Sequence, residues 1–226
     1  ISRTKVHSTF RRFLLAVNKV TELDIVIPKS YDKWDKVRME FKKKSYCGLF
    51  DGCCGAIDGF FQPTTCPTVK EVGGNVIAYY SGHYESYGLN CQAACDVHLR
   101  FLFFGVVAPG KTNDNVAFPR CGILYDRVTK LPSGLYFVGD AAYTLSDFLL
   151  IPFTGSQRDD VDNDAYNFYL SQLRIRIEMA FGRLVRKWGI LQKKMAYKLA
   201  TTSTILQAFA RLHNFIIDQQ LLRKAQ

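Results

Sequence analysis

Apolar and polar positions alternate in two different rhythms along this chain, and the change of rhythm divides it. Over residues 6–20, Phe10, Phe13, Leu14, Val17 and Val20 fall on one helical stripe, with Arg11, Arg12 and Lys19 elsewhere. Pro28 closes that segment. A second helix is predicted over residues 31–44, ending in the charge run Lys42-Lys43-Lys44. From Cys53 the period becomes that of strands. The first covers residues 54–61, interrupted by Asp58-Gly59. Residues 84–88 lead into a second over 89–96, where Leu89, Cys91, Ala93 and Cys95 point one way and Asn90, Gln92, Ala94 and Asp96 the other. Residues 101–107 are almost wholly apolar, so a third strand covered on both faces is expected. Pro109-Gly110 ends it, and Asn113-Asp114 opens a helix predicted to run to about residue 130. Short strands follow at 135–138 and 148–151. After the acidic loop 159–164 comes a long helix, 165–188, with the stripe Tyr166, Leu170, Leu173, Ile177, Phe181 and Leu184. A last helix is predicted over 202–222.

Three strands joined by turns form an antiparallel meander, and a helical crossover then returns the fourth strand parallel to one of them. The pattern predicts an α/β protein of RNase H-like type: a mixed five-stranded sheet with flanking helices, preceded by a short helical segment. Two units are expected, residues 1–46 and residues 47–226.

Composition sharpens this. At 226 residues, 48% hydrophobic and 14% aromatic, the chain has material for a substantial core. No apolar run nears the roughly 20 residues that span a bilayer, so a soluble protein without membrane contact is expected. The first residue is Ile1 within what reads as mid-helix, so a start further upstream is expected. The net charge of +10, from 30 Lys and Arg against 20 acids, favours a polyanionic partner without identifying it. The seven cysteines follow no disulfide-scaffold spacing and read as free thiols. Cys91, Cys95 and His98 lack the paired spacing of a tetrahedral zinc site.

Three acids stand out. Asp58 lies within an apolar strand, where a carboxylate is costly unless paired or bound to a cation. Gly59 beside it would let a ligand or another backbone approach. Asp-Gly is equally a hairpin signal, and both readings stand. Asp140 ends a short strand, the place where ligand sites gather in α/β sheets, or it caps the following turn. Glu178 adjoins Ile177 on the long helix with Arg174 one turn earlier, which also describes an ordinary (i, i+4) surface pair.

Taken together the blocks resemble the Harbinger-type DDE transposases and the nucleases domesticated from them, over about residues 54–218. Gly55-Ala56-Ile57-Asp58-Gly59 is similar to the first catalytic block, and residues 89–96 to the second strand. Ala108-Pro109-Gly110-Lys111-Thr112-Asn113-Asp114 is similar to the Pro-Gly…Asp block. Val138-Gly139-Asp140-Ala141-Ala142-Tyr143 resembles the Gly-Asp-x-x-Tyr block, and Leu150-Ile151-Pro152-Phe153 the segment after it. Residues 174–184 match the Arg-x-x-x-Glu-x-x-Phe-Gly-x-Leu helix, and Leu212-His213-Asn214 the late His-Asn pair. Phe60 departs from the pattern, which usually has Thr or His there.

The resemblance implies a DNA endonuclease using two Mg²⁺ or Mn²⁺ ions about 4 Å apart, with hard carboxylate ligands. Asp58 would bridge both ions, and Asp140 and Glu178 would each complete one side. Asp114 would be an auxiliary acid. It follows the third strand, two strands from the first and so about 10 Å away, whereas Asp140 ends a neighbouring strand at about 4.8 Å. Arg174, Arg183 and Lys187 would orient the acids or contact DNA. Residues 1–46 would be the end of an upstream DNA-binding region. A nuclear location and a Myb-like partner protein are further implications of the family, while the oligomeric state is left open. A relative that binds DNA or protein without cutting is the alternative, and an RNA-directed enzyme of the same fold a third.

Overall fold

The computed structural model describes residues 2–225. Two helices, α1 (Arg3–Lys19) and α2 (Tyr31–Lys44), precede strand β1 (Cys53–Pro63). The short helix α3 (Val69–Val72) and strand β2 (Tyr80–Ser81) lead to the long strands β3 (Ser86–Cys95) and β4 (Phe101–Pro109). Next come α4 (Asp114–Ala117), α5 (Ile123–Thr129), β5 (Tyr136–Val138) and β6 (Leu149–Leu150). Two 27-residue helices finish the chain: α6 (Val161–Lys187) and α7 (Leu199–Ala225).

The sheet is mixed. β1, β3 and β4 form an antiparallel meander, with β3 in the middle. β5 pairs with the other side of β1 in parallel, and β6 pairs in parallel with β5. This is the expected RNase H-like order, with one strand more than predicted: the two-residue β2 pairs with the start of β3 through Tyr80–Tyr87.

Side-chain alternation divides the core into two layers. Ala56, Cys91, Ala93 and Cys95 pack against Leu170, Leu173 and Ile177 of α6 and Ile205 and Phe209 of α7. Cys54, Ile57 and Ala94 face the opposite way, toward Leu124 and Val128 of α5 and Trp34 of α2. The N-terminal helices share these layers: Leu14, Val17 and Phe41 belong to the first and Trp34 to the second. The Asn18 amide also donates to the Thr204 carbonyl of α7 at 3.0 Å.

Three expectations change. The helix predicted over 113–130 tightens into a 3-10 turn at Pro119, which has no N–H for the helical ladder, and is broken at Gly122, whose φ of 50° leaves the helical region. β4 is an edge strand, so Phe103 and Gly105–Val107 are only half-buried. α6 begins inside the supposed acidic loop. The Asp160 carboxylate caps it by accepting from the N–H groups of Asp162 (2.9 Å) and Asn163 (3.1 Å). Asp162 and Asp164 occupy its first turn and Arg186 and Lys187 its last, each on the favourable side of the helix dipole.

The His213-Asn214 pair is a clamp within this fold. The Asn214 side chain accepts from the Phe101 N–H at 2.7 Å and donates to the Phe101 carbonyl at 2.8 Å. His213 Nε2 lies 2.8 Å from the Leu99 carbonyl oxygen. α7 is thereby fastened to the β3–β4 turn.

Candidate active site

Asp58 is not in a turn. It pairs with Ala93 in the β1–β3 ladder, and Gly59 pairs with Gln92. The parallel register of β1 with β5 sets Ala56 opposite Val138. Counting two residues onward from each puts Asp58 and Asp140 side by side where β5 has ended. β1 therefore loses its neighbour at the point where it carries an acid, which opens the sheet there. A cavity of about 550 Å³ occupies the opening, lined among others by Asp58, Asp114 and Asp140.

Asp114 reaches this cavity although strand spacing alone would hold it about 10 Å from β1. Its strand lies two away from β1, but α4 folds back over β3. The Asp114 carboxylate comes to rest on Gly59 so closely that a Cβ there would collide with it. The close approach that glycine permits is thus made by another acid of the same chain. Two buried amides of β3 hold that acid: Asp114 Oδ1 accepts from Asn90 Nδ2 at 3.0 Å and from Gln92 Nε2 at 2.7 Å. Gln92 is held in turn by the buried Tyr143 hydroxyl, which donates to Gln92 Oε1 at 2.7 Å. The tyrosine of the Gly-Asp-x-x-Tyr block therefore positions Asp114 through Gln92. Asn90, Gln92 and Tyr143 were not singled out from the sequence. The signal available was two amides on the inward-alternating positions of an otherwise apolar strand.

The crowding shows in the acidity of Asp58 and Asp140. The Asp58 carboxyl is pushed up to about 7, first by burial, then by Asp140 and Asp114, against the lowering effects of the Gly59 N–H and Arg174. The Asp140 carboxyl is also raised, chiefly by burial, although the Ala142 N–H donates to it at 2.9 Å. Asp114 and Glu178 add to that rise, and Arg174 opposes it.

Glu178 stands outside the cavity lining. Its carboxylate is 46% exposed and bonds Arg174 Nη1 at 2.8 Å, with Arg174 28% exposed. Its charge still reaches Asp140. Among the described residues, no three His, Cys, Asp or Glu side chains are drawn together closely enough to hold one ion. The donor chemistry nonetheless suits a hard divalent cation: three carboxylates line an open cavity, and Asp58 and Asp140 have raised pKa values there. The cysteines are elsewhere. Cys91 and Cys95 lie in the core with their thiols pushed up by burial, and burial takes Cys54 up to about 12. Phe60, the departure from the family pattern, packs between Phe104 of β4 and Phe181 of α6.

Arg183 and Lys187 do not join the acids. They follow Glu178 by five and nine residues, which turns them roughly 140° and 180° around α6. With Arg186, His213 and Ile217 they line a separate groove of about 400 Å³ between α6 and α7.

An RNase H-like sheet with acids converging where β1 and β5 part defines a DDE-type domain. Residues 57–214 match the DDE superfamily endonuclease family, and the chain belongs to it, as its Harbinger-type motifs led one to expect. The chain is also similar to "Protein ALP1-like" of Arabidopsis thaliana, at 29% identity over 83% of this chain. It spans about half of that curated relative, 48% of its length. No solved structure matches the chain at a significant level. Among the described residues, no helix is long and apolar enough to cross a membrane.

Proposed function

We propose that this chain is a divalent-metal-dependent DNA endonuclease of the transposase type. The observation that carries the reading is the convergence of Asp58, Asp114 and Asp140, from three separate segments, on one cavity. Like charges are gathered there at a cost that a bound cation would offset.

Asp58, Asp140 and Glu178 would hold Mg²⁺ or Mn²⁺, with Asp114 as the auxiliary acid. A cation held there would supply Lewis-acid chemistry, activating a water or the DNA 3′-hydroxyl at neutral pH and stabilising the leaving oxygen. Asp58, within the β1 ladder, offers a carboxylate that the backbone keeps fixed. Arg174 holds Glu178 at the rim and tempers the mutual repulsion of Asp58 and Asp140. Tyr143, Gln92 and Asn90 keep Asp114 aimed across Gly59.

The test is incubation of the purified protein with supercoiled plasmid and Mn²⁺, beside Glu178→Gln. Nicking by the wild type that the variant lacks is expected. Nicking that persists in the variant means a contaminating nuclease. No nicking by either would favour the second reading, a domesticated or decayed relative that binds DNA or a protein without cutting. That reading draws on the Glu178–Arg174 ion pair, which occupies an acid that cleavage needs free.

Residues 1–46 would be the end of an upstream DNA-binding region whose last helices have docked on the nuclease. A nuclear location and a Myb-like partner rest on the family resemblance. Exclusion of a fluorescent fusion from the nucleus would sink the first, and failure to co-purify any Myb-like protein the second.

A further inference from the structure

The cavity that holds the three aspartates has a second wall of different character. Phe61 and Tyr84 lie there with ring centroids 4.3 Å apart and planes 6° from parallel. The seat for this stack is built into the backbone. A Cβ at Gly88 or Gly110 would strike the Phe61 ring, so both glycines clear the space in which it lies flat. The turn carrying Tyr84 is pinned as well: the Tyr84 N–H donates to Ser81 Oγ at 3.4 Å, and Glu85 adopts a left-handed φ of 48°. His83 meets the Tyr84 ring edge-on, with centroids 4.7 Å apart. Tyr84 nevertheless remains 55% exposed. A ring serving only to pack would be covered; this one lines a cavity.

We propose that the Tyr84–Phe61 stack is a nucleobase platform, and that the site takes DNA whose base beside the scissile phosphate is unpaired and turned out of the helix. The inference rests on the nuclease reading above. Phe61 is two residues along β1 from Gly59, about 7 Å from where the Asp114 carboxylate sits, which is within reach of a base whose phosphate meets the acids. Aromatic faces accept any base, because every base has a π face. Lys111 lines the same cavity and supplies positive charge for the flanking phosphates. A base still paired in its duplex offers Tyr84 no face, so the platform selects distorted, nicked or single-stranded DNA.

The probe is a 20-nucleotide single strand carrying one 2-aminopurine, the position scanned along it, with its duplex as comparison. Wild-type protein should quench the fluorescence at one or a few positions and bind the strand more tightly than the duplex. Tyr84→Phe should behave as wild type. Tyr84→Leu keeps apolar cover over Phe61 but has no aromatic face. It should lose the quenching and bind about 10-fold more weakly, in line with the loss of one stacked base, while unfolding at the wild-type temperature. Quenching and affinity unchanged in Tyr84→Leu would overturn the proposal, as would absence of quenching at every position in the wild type. Plasmid nicking assayed alongside separates the two readings. Tyr84-dependent quenching without nicking removes the nuclease and leaves the platform; nicking with Tyr84-independent quenching does the opposite.

Discussion

The two sides of α6 face opposite electrostatic worlds. On one, the Arg174–Glu178 pair lies outside a cavity lined by three half-buried aspartates, close enough for its charges to act on Asp58 and Asp140. On the other, Arg183, Arg186 and Lys187 line a groove shared with α7, where burial and the nearby Arg183 both lower the His213 pKa, against the raising effect of its bond to the Leu99 carbonyl. A net charge of +10 for the whole chain therefore says nothing about the sign of the site. The cavity is locally acidic, and on the proposed reading a phosphodiester would enter it only with cations. The groove is locally basic and could meet phosphate directly. The contrast separates chemistry from grip, and substitutions on each side should do different things.

The largest effect belongs to the cavity. Asp58→Asn should reduce Mn²⁺-dependent plasmid nicking about a thousandfold, the loss of several kcal/mol of transition-state stabilisation. Asp140→Asn should follow, with Asp114→Asn costing less. A larger loss at Asp114 would make that residue the second core ligand.

Stability should respond next. The Asp58 carboxyl, ordinarily near 3.8, sits at about 7 in the folded chain. The folded state thus holds this proton more tightly than the unfolded state does. Its contribution is intact below about pH 4 and is lost as pH rises through 7. For metal-free protein the loss should be on the order of 2–4 kcal/mol, read as a melting temperature that falls by several degrees between those limits. Asp58→Asn should flatten the decline, and Mn²⁺ at pH 8 should reverse it by binding the folded state alone. A stability difference between wild type and Asp58→Asn that grows in favour of wild type as pH rises over this range would contradict the crowded, mutually repelling arrangement.

A smaller loss is expected along the hydrogen-bond chain. Tyr143→Phe and Gln92→Leu should each lower activity at limiting Mn²⁺ about 10- to 100-fold, as for groups that orient a metal ligand. Excess Mn²⁺ should recover most of it. Loss that no Mn²⁺ concentration repairs would mean these residues act on folding rather than on Asp114.

The groove should matter least. Arg183→Ala and Lys187→Ala should each weaken DNA binding a few-fold and flatten the salt dependence by about one unit, leaving the cleavage rate of bound DNA unchanged. A drop in that rate would place these cations in the chemistry and erase the contrast between the two sides.

Element by element, the long segments were legible. The stripe of Leu170, Leu173 and Ile177 announces α6 because neighbours on a helix surface are neighbours within a turn. The alternation in β3 is local in the same sense. Its polar half, Asn90 and Gln92, was visible, but its use was not, because the partner Asp114 comes from beyond the next strand. Asp58-Gly59 shows the limit most clearly. Strand and turn are both locally allowed for that pair, and the choice was made by Ala93 and Gln92, some 34 residues away in the ladder by the pairing of Asp58 with Ala93 and Gly59 with Gln92.

Residue types and their order were enough to announce an α/β chain carrying a spaced set of acids, since periodicity and hard-ligand chemistry belong to individual residues and their near neighbours. Which acids meet was settled by folding. Asp114 enters through a gap that only a glycine leaves and is drawn in by amides from a different strand. The Arg174–Glu178 pair, one helical turn apart, was readable locally, but whether that acid would reach Asp58 was not. Such placements depend on long-range packing and on the balance of burial against like charge, and neither quantity exists until the chain is closed on itself.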